Sequence, residues 1–597
     1  MKSRYIRHAF KRNFFDILAV LIVVAFFSIS FLVMRHESAT TDEQAHIPAA
    51  YSYVMLGDFT LNPEHPPLAK LIGGVGFIGS HYTFPTKLLH ENTALGPLQW
   101  KVGNAFLYHS GNNPDSILMR SRLPILIAST LGLLICYLLF CALSSKKIAL
   151  ITLALVALSP TVIAHGHLVT TDVLVMTTTT IAILCFIRYL QKPSLRYGVI
   201  AGSTLALAEL SKFSAALLFI VYVIVAVLYY YAHQQKTQSR KVVASTLKTL
   251  FPVYLSAILI IYVVYSFQVI SLSHVAQNNW IINATGNPTS NLDARVLLKI
   301  NEQPLAAPLV RYIVGFSSSL VRVAVGHGAN LLGTDYPTGT AFYFPVISIL
   351  KTPSPLLAVW LLMLCDAVRR LQKHRKKAAR LLENFWLYVQ TNPVLVFGGL
   401  FTIIYFVAAC VGNLDIGIRH LLPLFPWVAF FSAFWIVGVL DKQAGKTISL
   451  GKMLFGTFIG LYVLIALIIF PNYIPYTTEI AGGAPQAYRY YNDSNVDWGQ
   501  SIKYLVSYAN QHPNILPLYT DQQFYDAKVY YFCGSGATGC SQLNQIKDSQ
   551  KPPKDSYFAV SEMQLTIDWA RQNDNLAYLK YKKPIAKIGD SIYLYHM

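Results

Sequence analysis

Long apolar blocks constrain the fold of this chain more than any other feature of its sequence. Segments such as 18–33 and 250–270 approach or reach the roughly 20 residues that cross the hydrocarbon core of a bilayer. Of the 597 residues, 54% are hydrophobic and only 13% are charged, about half the charged share of a typical soluble domain. The sequence therefore predicts a multi-span membrane protein and excludes soluble multidomain proteins, collagens, coiled coils and small disulfide-rich proteins.

The net charge of +20 comes largely from basic clusters that flank the apolar blocks on alternate sides. Such clusters mark the cytoplasmic ends of membrane spans, so the charge does not call for a nucleic-acid partner. With the N-terminus taken as cytoplasmic, we expect about eleven spans in the plasma membrane and an extracytoplasmic C-terminal domain. The predicted spans lie near 15–34, 123–143, 148–164, 173–190, 197–210, 213–232, 249–270, 341–365, 393–411, 420–440 and 453–471.

Three stretches are too long and too polar to be simple connections, and all fall on the predicted outer side. Two are loops, at about 35–122 and 271–340, and the third is the tail from 472. We therefore predict a transmembrane domain over 1–471 and a C-terminal domain over 472–597. Polar and aromatic residues alternate between turns in the tail, which favours a small α/β domain.

Two cysteines of the tail, Cys533 and Cys540, flank a glycine-rich turn. They are candidates for a disulfide in an oxidising compartment.

Two adjacent carboxylates, Asp42 and Glu43, follow the first predicted span directly. Carboxylates at a membrane surface are costly to desolvate unless they are paired or used, so they indicate a functional site. The alternative is a solvated helix start, which Thr41 or Asp42 would cap. Further along the same loop, His65 precedes two prolines that fix the backbone around it.

A second short outer segment carries His165, His167 and Asp172. Together with Asp42 or Glu43 these side chains could in principle ligate a divalent cation. Histidines two residues apart diverge on a helix, so their spacing alone does not favour a metal. We therefore expect no required cofactor or metal, and leave a divalent cation open.

The outer ends of the predicted spans also carry cationic or titratable side chains, among them Arg122, Lys212, Arg419 and His420. A guanidinium at a helix end can simply extend to the lipid headgroups. It can equally bind a phosphate with two hydrogen bonds.

Several of these residues lie in motifs that share one resemblance. Asp42-Glu43 followed by His65-Pro66-Pro67-Leu68-Ala69-Lys70 resembles the first-loop signature of the dolichyl-phosphate-mannose-protein mannosyltransferases, glycosyltransferase family 39, and of their prokaryotic phospholipid-carrier-dependent relatives. Further motifs agree in order along the chain: Arg122-Leu123-Pro124, Ala208-Glu209-Leu210-Ser211-Lys212-Phe213, Tyr343-Phe344-Pro345-Val346, Ile416-Gly417-Ile418-Arg419-His420 and Asp493-Ser494-Asn495-Val496-Asp497-Trp498-Gly499-Gln500.

This resemblance implies an all-α type C glycosyltransferase fold, with the active site in the outer loops. It implies Asp42 as general base, with Glu43 binding the acceptor or tuning its neighbour. The other implied roles are donor phosphate binding by Arg122, Lys212 and Arg419, and substrate binding by His65, Asp172 and His420.

We therefore expect an inverting glycosyltransferase that moves a hexose, by family association mannose, from a polyprenyl phosphate to a hydroxyl on the outer face. The acceptor is open between a protein, as in protein O-glycosylation, a lipid and a glycan. Two other classes remain as alternatives: a multi-span secondary transporter, and a non-catalytic relative that binds a lipid. We expect membrane lipids around the spans and no nucleic-acid partner, because the orientation of the spans explains the positive charge.

Overall fold

The computed structural model describes residues 2–597 except 90–94, 234–238, 271, 287–290, 375–377, 443–449, 535–539, 547–549 and 571–575. This part of the chain is mainly helical, with a small sheet in the tail, which confirms the predicted fold class. The helices are α1 (Lys2–His36), α2 (Thr41–Tyr51), α3 (Leu68–Val75), α4 (Thr86–Leu89), α5 (Leu95–Asn104), α6 (Pro114–Leu143), α7 (Lys146–Ala157), α8 (Pro160–His165), α9 (Asp172–Gln191), α10 (Leu195–Ser211), α11 (Leu217–His233), α12 (Ser239–Ile270), α13 (His274–Thr285), α14 (Leu292–Asn301), α15 (Ala307–Val325), α16 (Tyr343–Leu350), α17 (Ser354–His374), α18 (Ala378–Thr391), α19 (Pro393–Val411), α20 (Phe425–Asp441), α21 (Leu450–Ile468), α22 (Ile502–Gln511), α23 (Tyr525–Cys533) and α24 (Glu562–Ala570). The strands are β1 (Ala329–Leu331), β2 (Thr334–Tyr336), β3 (Leu518–Thr520), β4 (Leu543–Gln545), β5 (Tyr557–Ser561), β6 (Ala586–Ile588) and β7 (Ile592–His596).

Nine helices in the described ranges are long and apolar enough to cross a membrane, or ten if α16 and α17, which meet at a 118° bend, form one broken span. All the predicted spans fall on helices, but two of them are short. The third is divided between α7 and α8 at Pro160, and the fifth is α10, with 17 residues. Conversely, α15 is long and apolar enough to cross although it lies in the predicted outer loop.

Helix α9 is the centre of the bundle, with 83% of its apolar window buried. Its threonines Thr177, Thr179 and Thr180 donate their hydroxyls to backbone carbonyls one turn earlier, so they bring no unpaired donor into the membrane interior. Gly132 of α6 lets the two helices approach closely, because a Cβ there would lie 2.8 Å from the Thr177 side chain. This packing fixes the N-terminus of α9, where Asp172 lies.

The tail folds as the predicted α/β unit, with a five-stranded sheet in the order β4-β3-β5-β7-β6. β3 pairs in parallel with β4 and β5, whereas β7 runs antiparallel to β5 and β6. Cys533 and Cys540 form a disulfide with their Cα atoms 5.8 Å apart.

A segment of the tail, residues 493–502, joins it to the membrane helices. Ser38, just after α1, donates its hydroxyl to Gly499 O at 2.6 Å, and Thr41 N donates to Trp498 O at 2.8 Å. On the other side, Asn495 Oδ1 accepts from Ile418 N at 3.0 Å. Lys351, at the bend between α16 and α17, donates to Asn495 O at 2.5 Å. The tail is therefore held against two outer ends of the bundle.

Asp497, a motif residue of this segment, is buried at the same junction and links it to the sheet. Its Oδ1 accepts from Gly499 N at 3.1 Å, and its Oδ2 accepts from the Ser561 hydroxyl. Burial raises the pKa of Asp497 to about 6, because the charged form is disfavoured away from water.

We predict that Asp497 makes the tail less stable as the pH rises from about 4 to about 6. The folded state binds this proton more tightly than the unfolded state, so the stabilisation is complete below pH 4 and is lost as Asp497 ionises. The loss is on the order of 3 kcal/mol, at about 1.4 kcal/mol per pKa unit. Thermal unfolding in detergent across this pH range is the measurement.

In the variant Asp497→Asn, which keeps the shape of the side chain, the decline over this interval is expected to be shallower. Asp555→Asn, at an exposed carboxylate of the same tail, is the matched control and is expected to keep the wild-type slope. Equal slopes for wild type and Asp497→Asn would contradict the prediction.

Candidate active site

The predicted site residues Asp42, Asp172, Lys212 and Arg419 come together where α2 and α9 begin, where α10 ends, and in the segment Ile418–Leu424 that precedes α20. Arg419 Nη1 donates to Asp42 Oδ2 at 2.5 Å and lies 3.7 Å from Asp172 Oδ2. Lys212 Nζ lies 2.7 Å from the other oxygen of Asp172, Oδ1. The four side chains therefore form one row in which carboxylates and cations alternate.

Arg419 is held in place by the tail. Its guanidinium lies over the ring of Trp498, 4.2 Å from the centroid, a distance typical of a cation–π contact. The preceding Gly417 has φ +146°, and a Cβ there would lie 2.4 Å from Ser494 Oγ. Glycine at this position therefore allows the Asp493–Gln500 motif to reach the Arg419 turn.

Asp42 differs from the other acids of the site in its exposure. Its side chain is 26% exposed, whereas Glu43 and Asp172 are fully buried. Arg419 binds Oδ2, and within the described part of the chain no hydrogen bond reaches Oδ1. Asp42 is therefore the carboxylate that a substrate can reach.

Glu43 and Arg122 bind each other in a fully buried pair. Arg122 Nε and Nη2 donate to the two Glu43 oxygens at 2.8 and 2.6 Å, a fork geometry typical of strong arginine–carboxylate pairs. Arg122 also donates to the carbonyls of Met34, Glu37 and Ser38 at the end of α1. Arg122 therefore holds α6 to both α1 and α2.

Glu43 is also part of a helix cap. It stands three residues after Thr40, and its Oε2 accepts from Thr40 N at 3.0 Å, the arrangement known as a capping box. Val169 N adds a third contact, at 3.1 Å from Oε1. Burial opposes ionisation, but Arg122 and these donors outweigh it and hold the pKa of Glu43 below its ordinary value.

Two histidines lie beside Asp42. His46 is one turn further along α2, and its ring is 5.0 Å from that of His65. Burial lowers the pKa of His46 to about 4 and that of His65 well below its ordinary value, with nearby positive charge adding to the effect at His65. Both rings are therefore neutral near pH 7 and can hydrogen-bond an uncharged sugar or acceptor hydroxyl.

The loop that carries His65 is fixed by Lys70, the last residue of its motif. The buried Lys70 Nζ donates to Asn62 O at 2.5 Å, Asn62 Oδ1 at 3.1 Å and His65 O at 2.7 Å. Burial lowers the pKa of Lys70 to about 7. Lys70 thus holds the loop and has no donor left for a ligand.

The histidines of the second outer segment diverge, as their spacing predicts. His165 packs edge-on against Trp498, with ring centroids 5.7 Å apart, whereas His167 Nε2 lies 2.8 Å from Glu37 Oε2. Among the residues that the structure describes, no three His, Cys, Asp or Glu side chains are arranged to hold a metal ion.

Several buried polar atoms of this region have no hydrogen-bond partner among the described residues. They are His46 Nδ1, His165 Nδ1, Asp172 Oδ2, Arg419 Nε and His420 Nε2. Buried polar groups almost always have a partner in the functioning state. These atoms are therefore available to bind water or a polar ligand.

His420 borders an apolar cavity of about 380 Å³, here called the His420 cavity. Its walls include Phe213 next to Lys212, Phe316 of α15 and Tyr405 of α19. Arg322 of α15 is exposed and stands next to Val323, which lines this cavity. An apolar cavity therefore opens beside a cationic group of residues.

One segment of the chain matches a known protein family. Residues 115–268, less than half of the chain, match the family model of dolichyl-phosphate-mannose-protein mannosyltransferases. This match confirms the predicted resemblance. The matched segment includes Arg122, Asp172 and Lys212, and it relates the chain to membrane glycosyltransferases that use a lipid-linked sugar. No curated protein sequence matches the chain.

Among solved structures, the chain is similar to ArnT from Cupriavidus metallidurans bound to undecaprenyl phosphate, at 12% identity and a TM-score of 0.40, over 96% of this chain and 97% of that chain. It is also similar to the oligosaccharyltransferase AglB from Archaeoglobus fulgidus in complex with an inhibitory peptide and a dolichol-phosphate. That match has 13% identity and a TM-score of 0.47, over 98% of this chain and 75% of that chain.

Three residues of the site were not singled out from the sequence. His46 lies four residues after Asp42, on the same helix face, a spacing that could have revealed it. Trp498 belongs to a quoted motif, but its place under Arg419 depends on the fold. Arg322 lies outside every motif, so no sequence signal distinguished it from other basic residues.

We predict that Glu43→Gln and Arg122→Ala destabilise the protein by about 3–5 kcal/mol each, because each leaves the other charge buried without its partner. Thermal unfolding in detergent would measure this loss. Asp42→Asn is the matched comparison and is expected to cost much less, since Asp42 is partly exposed. A Glu43→Gln variant as stable as wild type would contradict a structural role for the pair.

Proposed function

We propose that the protein is a glycosyltransferase that moves a hexose, mannose by family resemblance, from a polyprenyl-phosphate carrier to an acceptor hydroxyl. One observation carries the proposal: a partly exposed carboxylate, Asp42, lies near buried polar atoms that have no hydrogen-bond partner within the described part of the chain. The site lies outside the cell in this proposal, with the N-terminus cytoplasmic and the tail extracytoplasmic. A donor that arrives through the lipid fits the lack of any nucleotide-binding motif in the sequence.

A phosphate needs a cation beyond the four charged side chains of the row, because these balance each other. Asp42 and Asp172 balance Lys212 and Arg419, so this row alone offers an incoming phosphate no net attraction. Arg322, which is exposed and stands next to a residue that lines the His420 cavity, supplies a further positive charge. We therefore place the donor phosphate between Lys212, His420 and Arg322, with its isoprenoid chain in the His420 cavity.

In the proposed reaction, Asp42 Oδ1 takes the proton of the acceptor hydroxyl as its oxygen attacks C1 of the sugar. The bond between C1 and the phosphate oxygen breaks, and the polyprenyl phosphate leaves with the electron pair. Arg419 keeps Asp42 oriented through its hydrogen bond, and Lys212 and Arg322 stabilise the departing phosphate. A single displacement inverts the configuration at C1.

The remaining predicted residues take roles that follow from their contacts. His65 and His46, both neutral, are placed to bind hydroxyls of sugar or acceptor, and Asp172 positions Lys212 and Arg419. Glu43 and Arg122 take a structural role. Their hydrogen bonds to each other and to the backbone hold α2 in place, so that the Asp42 side chain stays accessible.

We predict that Asp42→Asn lowers sugar transfer by about 10²–10⁴-fold, the usual contribution of a general base. The assay is transfer of labelled sugar from a polyprenyl-phosphate donor by the purified protein in nanodiscs. Donor binding should persist, because the amide still fits beside Arg419. Asp58→Asn, on the same outer loop, is the control; equal activity of Asp42→Asn and wild type would overturn the assignment.

A second prediction concerns Arg322. Arg322→Ala should raise the KM for the donor about tenfold, in line with the loss of one charge-assisted hydrogen bond, while kcat changes little. Arg295→Ala removes an exposed arginine of the same outer loop and should leave the donor KM unchanged. Donor titrations at low and high salt would check both variants. Equal effects of the two substitutions would argue for a general influence of charge.

A further inference from the structure

A second apolar cavity is lined by Ile418, the residue next to Arg419. It measures about 340 Å³ and is here called the Lys351 cavity. Its walls come mainly from helices of the membrane bundle, with Trp360 of α17, Phe406 of α19, Val428 of α20 and Tyr462 of α21 among the lining residues. The proposed donor site does not use this cavity.

Three consecutive residues connect the two cavities with the reactive centre. Ile418 lines the Lys351 cavity, Arg419 binds Asp42, and His420 lines the His420 cavity. These residues begin a 3₁₀ segment, Ile418–Leu424, in which successive side chains point about 120° apart. The two cavities therefore approach Asp42 from different sides of one turn.

The two cavities differ in the charge that they offer. The Lys351 ammonium already donates to Ile474 O at 2.9 Å and to Asn495 O at 2.5 Å, and it lies over the Tyr491 ring. Its hydrogen-bond donors are therefore committed to holding the tail. The Lys351 cavity suits an uncharged chain, whereas the His420 cavity lies beside Lys212 and Arg322.

The polar groups on the walls are mostly satisfied as well. Thr352, Thr402 and Ser432 each donate their hydroxyl to a backbone carbonyl of the preceding turn. Trp360 Nε1 is buried without a partner among the described residues and can donate to one oxygen of an occupant. A polypeptide in this cavity would leave its own backbone groups unpaired in an apolar setting. A hydrocarbon chain has no such groups.

We propose that the Lys351 cavity binds an alkyl or isoprenoid chain of the acceptor, so that the hydroxyl presented to Asp42 belongs to a membrane lipid. The inference rests on the proposed function and narrows its acceptor. The lipid hydroxyl would attack C1 of the sugar, the bond from C1 to the carrier phosphate would break, and the hydroxyl proton would pass to Asp42. The products are a glycolipid and free polyprenyl phosphate.

The test compares lipid and peptide acceptors with the full-length protein in nanodiscs. The donor is labelled mannosyl-phosphoryl-polyprenol, and the probes are diacylglycerol, which has one free hydroxyl, and a soluble peptide rich in serine and threonine. Label in the glycolipid fraction is expected. Label in the peptide alone would overturn the lipid acceptor and leave the glycosyltransferase proposal intact, whereas donor binding without transfer to either probe would overturn both.

A matched pair of substitutions tests the roles of the two cavities independently. Ala429→Phe fills the Lys351 cavity and Ala409→Phe the His420 cavity. Ala429→Phe should raise the KM for diacylglycerol on the order of tenfold, with donor binding unchanged. The reason is that even a methylene-sized change in an apolar pocket alters substrate discrimination by about 10–200-fold. Ala409→Phe should weaken donor binding instead. An unchanged acceptor KM in Ala429→Phe would contradict the proposal.

Cross-linking provides a readout without any substitution. Diacylglycerol with a photoreactive group at the end of one acyl chain should label peptides of α17, α20 or α21 in the wild-type protein. Labelling confined to other helices would place the acceptor chain elsewhere and overturn the inference, even if both phenylalanine variants fail to fold.

Discussion

The contact between Arg419 and Asp42 is the interaction on which the site depends, because Arg419 contacts three separate parts of the chain at once. Asp42 begins the first outer helix, Asp172 begins the central helix α9, and Trp498 belongs to the tail. A guanidinium can serve all three, since it has several donors in one plane and an apolar face. Its position at the start of the Ile418–Leu424 turn also separates the two cavities.

Much of the fold could be predicted from the sequence, because the thickness of the hydrocarbon core dictates the length of an apolar helix. All the predicted spans fall on helices. Hydropathy, however, reports how apolar a segment is and not where a helix breaks or how it is placed in the fold. It could not show that Pro160 divides one segment into α7 and α8, or that α15, predicted as part of an outer loop, is apolar enough to cross. The sheet of the tail followed from alternation and turns, but its strand order depends on long-range pairing.

The candidate site was predicted as a set of residues but not as a set of pairs. Sequence singled out Asp42, Glu43, Arg122 and Arg419 as charges at outer helix ends. It could not show that Glu43 and Arg122, 79 residues apart, bind each other, or that Arg419 reaches Asp42 across 377 residues. Which carboxylate stays accessible is decided by these pairings. Asp42 and Glu43 are adjacent and both acidic, yet Asp42 is partly exposed and Glu43 is fully buried.

The bonds between Ser38 and the tail have a consequence for biosynthesis. Ser38 and Gly499 are 461 residues apart, and the chain is made from its N-terminus. The membrane helices can insert one after another before the tail is made. Until then Arg419 lacks its contact with the Trp498 ring, and Ile418 N lacks its hydrogen bond to Asn495. The candidate site is therefore assembled only after residue 498 has been made, so that a chain terminated before this residue lacks the complete site.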